Sequence, residues 1–163
     1  MSELVPSTDD RPPGLVVTAM IEHVLDLAAT WPGWDGTPIE VAVEGEAPRV
    51  YTPHKAIRRV TDHLLDHLAE LEARLAGRAP EPDAWQASAI TTAADLAPFS
   101  AEDLDEARSR LRRLALIWDT RLSSVPDSEL DRAAGSAWTL RQVAFHVAES
   151  DFYADSVGRL PGS

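Results

Sequence analysis

Two histidines in the stretch TDHLLDH, His63 and His67, stand four residues apart. On a helix that spacing separates them by about 40° around the axis and roughly 6 Å along it, so both imidazoles can face one point. His67 falls between Leu64, Leu68 and Leu71 on an apolar stripe, and His63 flanks the stripe beside Val60. The pair therefore belongs at the edge of a core, where burial lowers imidazole proton affinity and favours the neutral, metal-ligating form. A third histidine, His146 in QVAFHVAES, follows Val143 and precedes Ser150 and Ala154 on the inward face of a second helix. Three neutral nitrogens on two packed helices make a borderline ligand set for Zn, Ni or Fe, with an open position for water that the cation makes more acidic. The competing reading is a helix pair satisfied by hydrogen bonds or solvent.

The remaining polar residues near these positions divide between supporting and solvating roles. His23 lies on a helix flank near Met20 and Leu27, as a fourth ligand or as a core-edge imidazole held by a carboxylate; the second reading is preferred. His54 reads as a surface or loop-contact residue in the first turn of its helix. Asp62 and Asp66 sit on the outer side of the histidine pair, placed to orient a ring nitrogen or to solvate the helix, and solvation is preferred. Glu70 and Glu149 follow His67 and His146 by three residues, within reach as acceptors behind the rings or as proton carriers. Arg58 and Arg59 precede His63 by about one turn; pairing with Asp62 or Asp66 is preferred over contact with an anionic substrate. Tyr153 and Trp138 either line a pocket or finish the core.

Four amphipathic segments must position these groups. Val16, Met20, Val24, Leu27, Ala28 and Trp31 recur at helical spacing over about 15–30, after a Pro- and Asp-rich start that reads as a mobile tail, 1–14. Pro32, Gly33, Gly36 and Pro38 then interrupt the chain, and 36–50 reads as an irregular or hairpin insertion turning at Glu44-Gly45. Thr52 and Pro53 open a helix over 53–76. Residues 78–99 read as a connector with room for a short helix at 83–89. Ser100 with Asp103 caps a helix reaching about 124, and Thr139 with Gln142 has capping-box spacing at the head of a helix over 139–157. The expectation is an all-α four-helix bundle forming a single domain over 15–158.

The residues SAWTLRQVAFHVAESDFYAD resemble the second helix of the DinB/YfiT-like superfamily, in which a Trp-Thr or Trp-Ser cap leads to a metal-binding histidine. The stretch YTPHKAIRRVTDHLLDHLAELEARLAG resembles that family's last helix, whose His-x-x-x-His supplies two further ligands. The resemblance thus implies a divalent ion on His63, His67 and His146, with water or substrate at open positions. The helix pairs stand in circularly permuted order, which a connector such as 78–99 allows within one chain. Exchange of helix pairs in a homodimer is the other route, with His146 of one subunit completing the site of another. Members of this superfamily include mycothiol-dependent maleylpyruvate isomerases and other transferases that use low-molecular-weight thiols.

Composition narrows the function classes. Fifteen Lys and Arg against 27 Asp and Glu give a formal charge of −12 over 163 residues, which repels phosphate backbones and argues against a nucleic-acid partner. With no cysteine, thiolate metal sites and cysteine nucleophiles are excluded, so any thiol chemistry needs an external thiol such as mycothiol. The start of the chain lacks a basic region followed by an apolar run, and no later stretch is read as approaching the roughly 20 apolar residues needed to cross a bilayer; the expected location is cytoplasmic. Three functions fit: a metal-dependent transferase or isomerase using an external thiol and a small-molecule substrate, a metal-dependent hydrolase, and a non-catalytic metal-binding, ligand-binding or interaction bundle.

Overall fold

Proline at a first helical position, where no N–H is required, opens both of the first two long helices. In the computed structural model, which describes residues 9–83, 85 and 87–161, these are α1 (Pro13–Ala28) and α2 (Pro53–Leu75). α1 begins two residues before the expected boundary, and Asp9–Pro12 precede it; the rest of the expected tail, 1–8, lies outside the described residues. α1 continues into a 3₁₀ turn at Trp31–Gly33. The connection to α2 carries the hairpin expected in 36–50: β1 (Ile39–Val41) pairs antiparallel with β2 (Arg49–Tyr51), Ile39 opposite Tyr51 and Val41 opposite Arg49. Its tip is closed by Glu46 N–H on the Val43 carbonyl, with Gly45 at φ 75°, a conformation that suits glycine.

The next long helix, α3 (Ala101–Ser124), starts from the expected box, Asp103 N–H on Ser100 Oγ and Ser100 N–H on Asp103 Oδ2. A single turn, α4 (Asp127–Leu130), follows. The expected last helix over 139–157 is corrected to two: α5 (Leu140–Ala148), capped by Thr139 and Gln142, and α6 (Asp151–Val157). Between them Glu149 and Ser150 donate to His146 and Val147, and Phe152 and Tyr153 to Glu149 and Ser150, all three residues back rather than four. In so tight a turn, side chains three apart eclipse, which aligns Ser150 with Tyr153. Residues 84 and 86 of the expected helix at 83–89 lie outside the described residues; the others there are not helical, and the connector instead makes a 3₁₀ turn at Ala94–Leu96.

The molecule is mostly helical, and one apolar core joins every long helix. α1 packs against α3, α5 and α6, while α2 packs against α5 and α6 and touches α3. Trp31, Trp118 and Tyr51 are its largest fully buried side chains. Two indoles also serve as clamps: Trp118 Nε1 donates to the Leu64 carbonyl at 3.2 Å, fixing α3 to the middle of α2, and Trp31 Nε1 donates to the Gly158 carbonyl at 2.8 Å. One expectation is corrected here, because the 21-residue segment Pro13–Gly33 is long and apolar enough to cross a bilayer by length and composition. Its apolar residues are spent on the core, where Val17, Ile21 and Val24 are fully buried. The structure is thus compatible with a soluble protein.

The connector lies along the first turns of α2 and is held there by side chains of that helix. Thr52 Oγ1 donates to the Asp95 carbonyl, His54 Nε2 contacts the Pro98 carbonyl at 3.0 Å, and Lys55 Nζ donates to Thr91 Oγ1 at 2.9 Å. Arg58 grips the buried Asp95 along one edge of its guanidinium, Nε to Oδ1 at 3.0 Å and Nη2 to Oδ2 at 2.7 Å. That fork matches a planar donor to a planar acceptor.

Candidate metal centre

His63 and His67 project from the middle of α2 toward the end of α5, where His146 stands in the last turn. The Nε2 atom of His63 lies 3.1 Å from Nε2 of His146 and 3.1 Å from Nε2 of His67. The three ligand atoms all fall within 4.8 Å of one another, and the rings stand at 72°, 87° and 90° to each other. The structure therefore gathers all three expected histidines, and within one chain, so exchange of helix pairs is not needed to complete the set. All three are partly exposed.

Each ring has an oxygen behind it. His67 Nδ1 lies 2.8 Å from Glu70 Oε2, His63 Nδ1 lies 2.6 Å from Ser150 Oγ, and His146 Nδ1 lies 3.5 Å from Glu149 Oε2. A carboxylate accepts only, so the first of these places a proton on His67 Nδ1 and a lone pair on its Nε2, while Glu149 stands at ion-pair distance behind His146. The Ser150 hydroxyl can donate as well as accept, so either a proton on His63 Nε2 or a cation among the three nitrogens satisfies the two 3.1 Å contacts. The spacing tests the fit. Metal–nitrogen bonds of 2.0–2.1 Å set nitrogen pairs about 2.8–3.0 Å apart at a right angle and about 3.3–3.4 Å apart at a tetrahedral one. The two edges at His63 Nε2 fall between these values and the third lies within 4.8 Å, which makes the three residues a possible metal site.

Electrostatics favour the same ligand form. Burial, with contributions from His67, His146 and Arg59, pushes the His63 imidazole down to about 3, and burial together with His67 pushes His146 down despite the opposing pull of Glu149. The hydrogen bond from His67 holds Glu70 below the usual glutamate range, and Arg74, 3.3 Å from its other oxygen, adds to this. Glu70 is thereby kept ionised as an acceptor for His67.

The other sequence candidates take supporting or separate places. Asp62 faces Arg58 and Arg59 at 3.9 Å each, and Glu70 and Glu149, rather than Asp62 or Asp66, reach the rings. Trp138 packs on His146 with centroids 4.3 Å apart, and Tyr153 meets His63 edge-on at 6.1 Å. His23 pairs with the carboxylate of Asp155 at 2.7 Å, but both are exposed, so this is a surface pair rather than the expected core-edge one; His54 sits between Pro98, Asp103 and the Phe99 ring. Neither joins the triad. The role of Ser150 is new: its sequence position marks only the inward face of its helix, yet its spacing of four from His146 carries the signal. Comparison of the chain with family models, with curated proteins and with solved structures finds no match.

Proposed function

We propose that this chain is a DinB-like divalent-metal protein in which His63, His67 and His146 hold Zn, Ni or Fe. One observation carries the reading: the three Nε2 atoms converge while each Nδ1 is engaged by an oxygen of Glu70, Ser150 or Glu149. Three protein ligands on a partly exposed site leave room for an exogenous ligand, as in metal centres that do chemistry rather than only stabilise a fold. When bound, the ion supplies Lewis acidity, lowering the proton affinity of a sulfur or oxygen ligand. The chain's own part is to hold His67 in its Nε2-ligating tautomer through Glu70, to place Ser150 and Glu149 behind His63 and His146, and to pack Trp138 and Tyr153 against the rings. With no cysteine in the chain, the nucleophile comes from outside, and the DinB resemblance implies a low-molecular-weight thiol such as mycothiol, acting on a small electrophilic substrate.

The test is metal content of tag-free protein purified without added metal and after reconstitution, beside the H67A variant. About one ion per chain in the parent, lost in H67A, supports the reading and leads to thiol-transfer assays. No stoichiometric ion in the reconstituted parent overturns it.

A further inference from the structure

Arg59 stands one helical turn before His63, and only 9% of it is exposed. Its guanidinium lies over the Tyr153 ring, Cζ 4.9 Å from the centroid, and Nη2 donates to Tyr153 Oη at 3.1 Å. The same ring packs edge-on against His63, so Arg59, Tyr153 and the triad form one continuous cluster. Along the same edge, Nε donates to Ser88 Oγ at 3.0 Å. Both partners are neutral hydroxyls. The carboxylate facing Nη1 is Asp62 at 3.9 Å, which Arg58 shares at the same distance. Arg58 has Asp95 gripped in a fork; Arg59, among the described residues, has no carboxylate within hydrogen-bond range.

A guanidinium drawn out of water and left so weakly matched is unfavourable unless a negative partner arrives. The chain as a whole carries −12, yet among the described residues the one carboxylate paired with this guanidinium, Asp62, stands at 3.9 Å and is shared with Arg58. Ser88 and Tyr153 hold Nε and Nη2, which fixes the plane with Nη1 beside Asp62, and a planar fork recognises the paired oxygens of a carboxylate or phosphate.

We propose that Arg59 is the specificity-determining residue of the His63–His67–His146 centre, pairing with an oxyanion on the ligand that enters it. This inference rests on the metal reading and adds to it a ligand class: small molecules bearing a carboxylate or phosphate beside the group presented to the imidazoles. Tyr153 and Ser88 act as positioning residues, holding the guanidinium in plane.

Cobalt-loaded protein tests this without an assay of activity, because the visible absorption of Co²⁺ reports ligands entering its shell. Acetate and inorganic phosphate are titrated in turn, with neutral imidazole as a probe that needs no guanidinium. In R59M, anion affinity is expected to fall about tenfold, the worth of one charge-assisted pair, while cobalt stoichiometry and imidazole affinity stay as in the parent. R59K is expected to recover part of the loss, and it carries the comparison where R59M unfolds. Whichever of acetate and phosphate shows the larger Arg59-dependent loss identifies the oxyanion. Anion affinities unchanged in R59M and R59K, or no anion response in the parent, overturn the assignment of Arg59 and leave the metal centre standing. Failure of the parent to take up one Co²⁺ per chain overturns the metal reading, and this inference with it.

Discussion

Ser150 is fully buried, and its hydroxyl meets His63 Nδ1 at 2.6 Å, so it holds the orientation of the one imidazole whose Nε2 lies 3.1 Å from both others. Removing that oxygen frees the His63 ring to turn or to shift its proton, while the volume lost is small. The S150A variant is therefore expected to remain folded and to bind Zn²⁺ roughly 10- to 100-fold more weakly, as loss of a group behind a ligand does. Competition titration against a chromophoric chelator reads the change; an unaltered affinity would remove Ser150 from the centre. The three histidines of the candidate centre are legible in the amino-acid sequence, because His63, His67 and His146 share inward faces that a 3.6-residue period reveals. Glu70 and Glu149 are legible as candidates by their spacing of three. The partners of Arg58 and Arg59 are not, since Asp95, Ser88 and Tyr153 are 37, 29 and 94 residues away and no local pattern joins them.

At the scale of elements, α1 and α3 cross with no space between their backbones at Gly14. A Cβ placed there would stand 2.3 Å from Asp119 Oδ1 and 2.9 Å from Asp119 Cα, and the second contact cannot be relieved by a side-chain rotation. Alanine in an open helix would stabilise by up to about 1 kcal/mol over glycine. G14A is instead expected to destabilise by about 1–3 kcal/mol, the usual range for overpacking, and to lower Tm by roughly 2–4 °C per kcal/mol in a chain of this size. A thermal melt reads the sign directly, and a higher Tm would contradict the close crossing. The starts of the long helices are legible because Thr52-Pro53, Ser100 with Asp103 and Thr139 with Gln142 cap by local chemistry. The break between α5 and α6 is not, for it uses neither glycine nor proline; the turn tightens where Ser150 and Tyr153 reach across to α2. The path of the connector is equally hidden, and Asp95 shows how it is held. Burial raises its carboxyl, but the Arg58 hydrogen bonds and the Thr92 N–H outweigh that and hold it below the usual aspartate range. A depressed folded-state value contributes stability above the unfolded pKa near 4 that is lost as pH falls through the folded one. D95N should thus melt lower than the parent at neutral pH, by the about 1–3 kcal/mol of an unmatched buried group, with the gap narrowing below about pH 4. A constant gap across that range would argue against the ion pair as its source.

Over the whole molecule, the candidate centre ties together elements far apart in the chain. His63 and His67 lie on α2 and His146 on α5, and α5 in turn packs on α1, so an ion there cross-links both ends of the sequence through the core. The same placement makes the unfolded chain a poor ligand, because the histidines are then separated by up to 83 residues. Binding to the folded state alone adds RT ln(1 + [L]/Kd), about 2.7 kcal/mol when free metal is 100 times Kd. For a chain of this length that corresponds to a rise of roughly 5–11 °C in Tm at 2–4 °C per kcal/mol. Chelation with EDTA followed by dialysis is expected to lower Tm by this amount, and readdition of Zn²⁺ to restore it. Because the rise depends on free metal, Tm should climb by an equal step for each tenfold increase in concentration above Kd, which a fixed structural change would not produce. The H67A variant should melt independently of added Zn²⁺. A Tm in the parent that ignores both EDTA and Zn²⁺ would mean that the three imidazoles converge without holding an ion, and that their lone pairs are satisfied by protons and water.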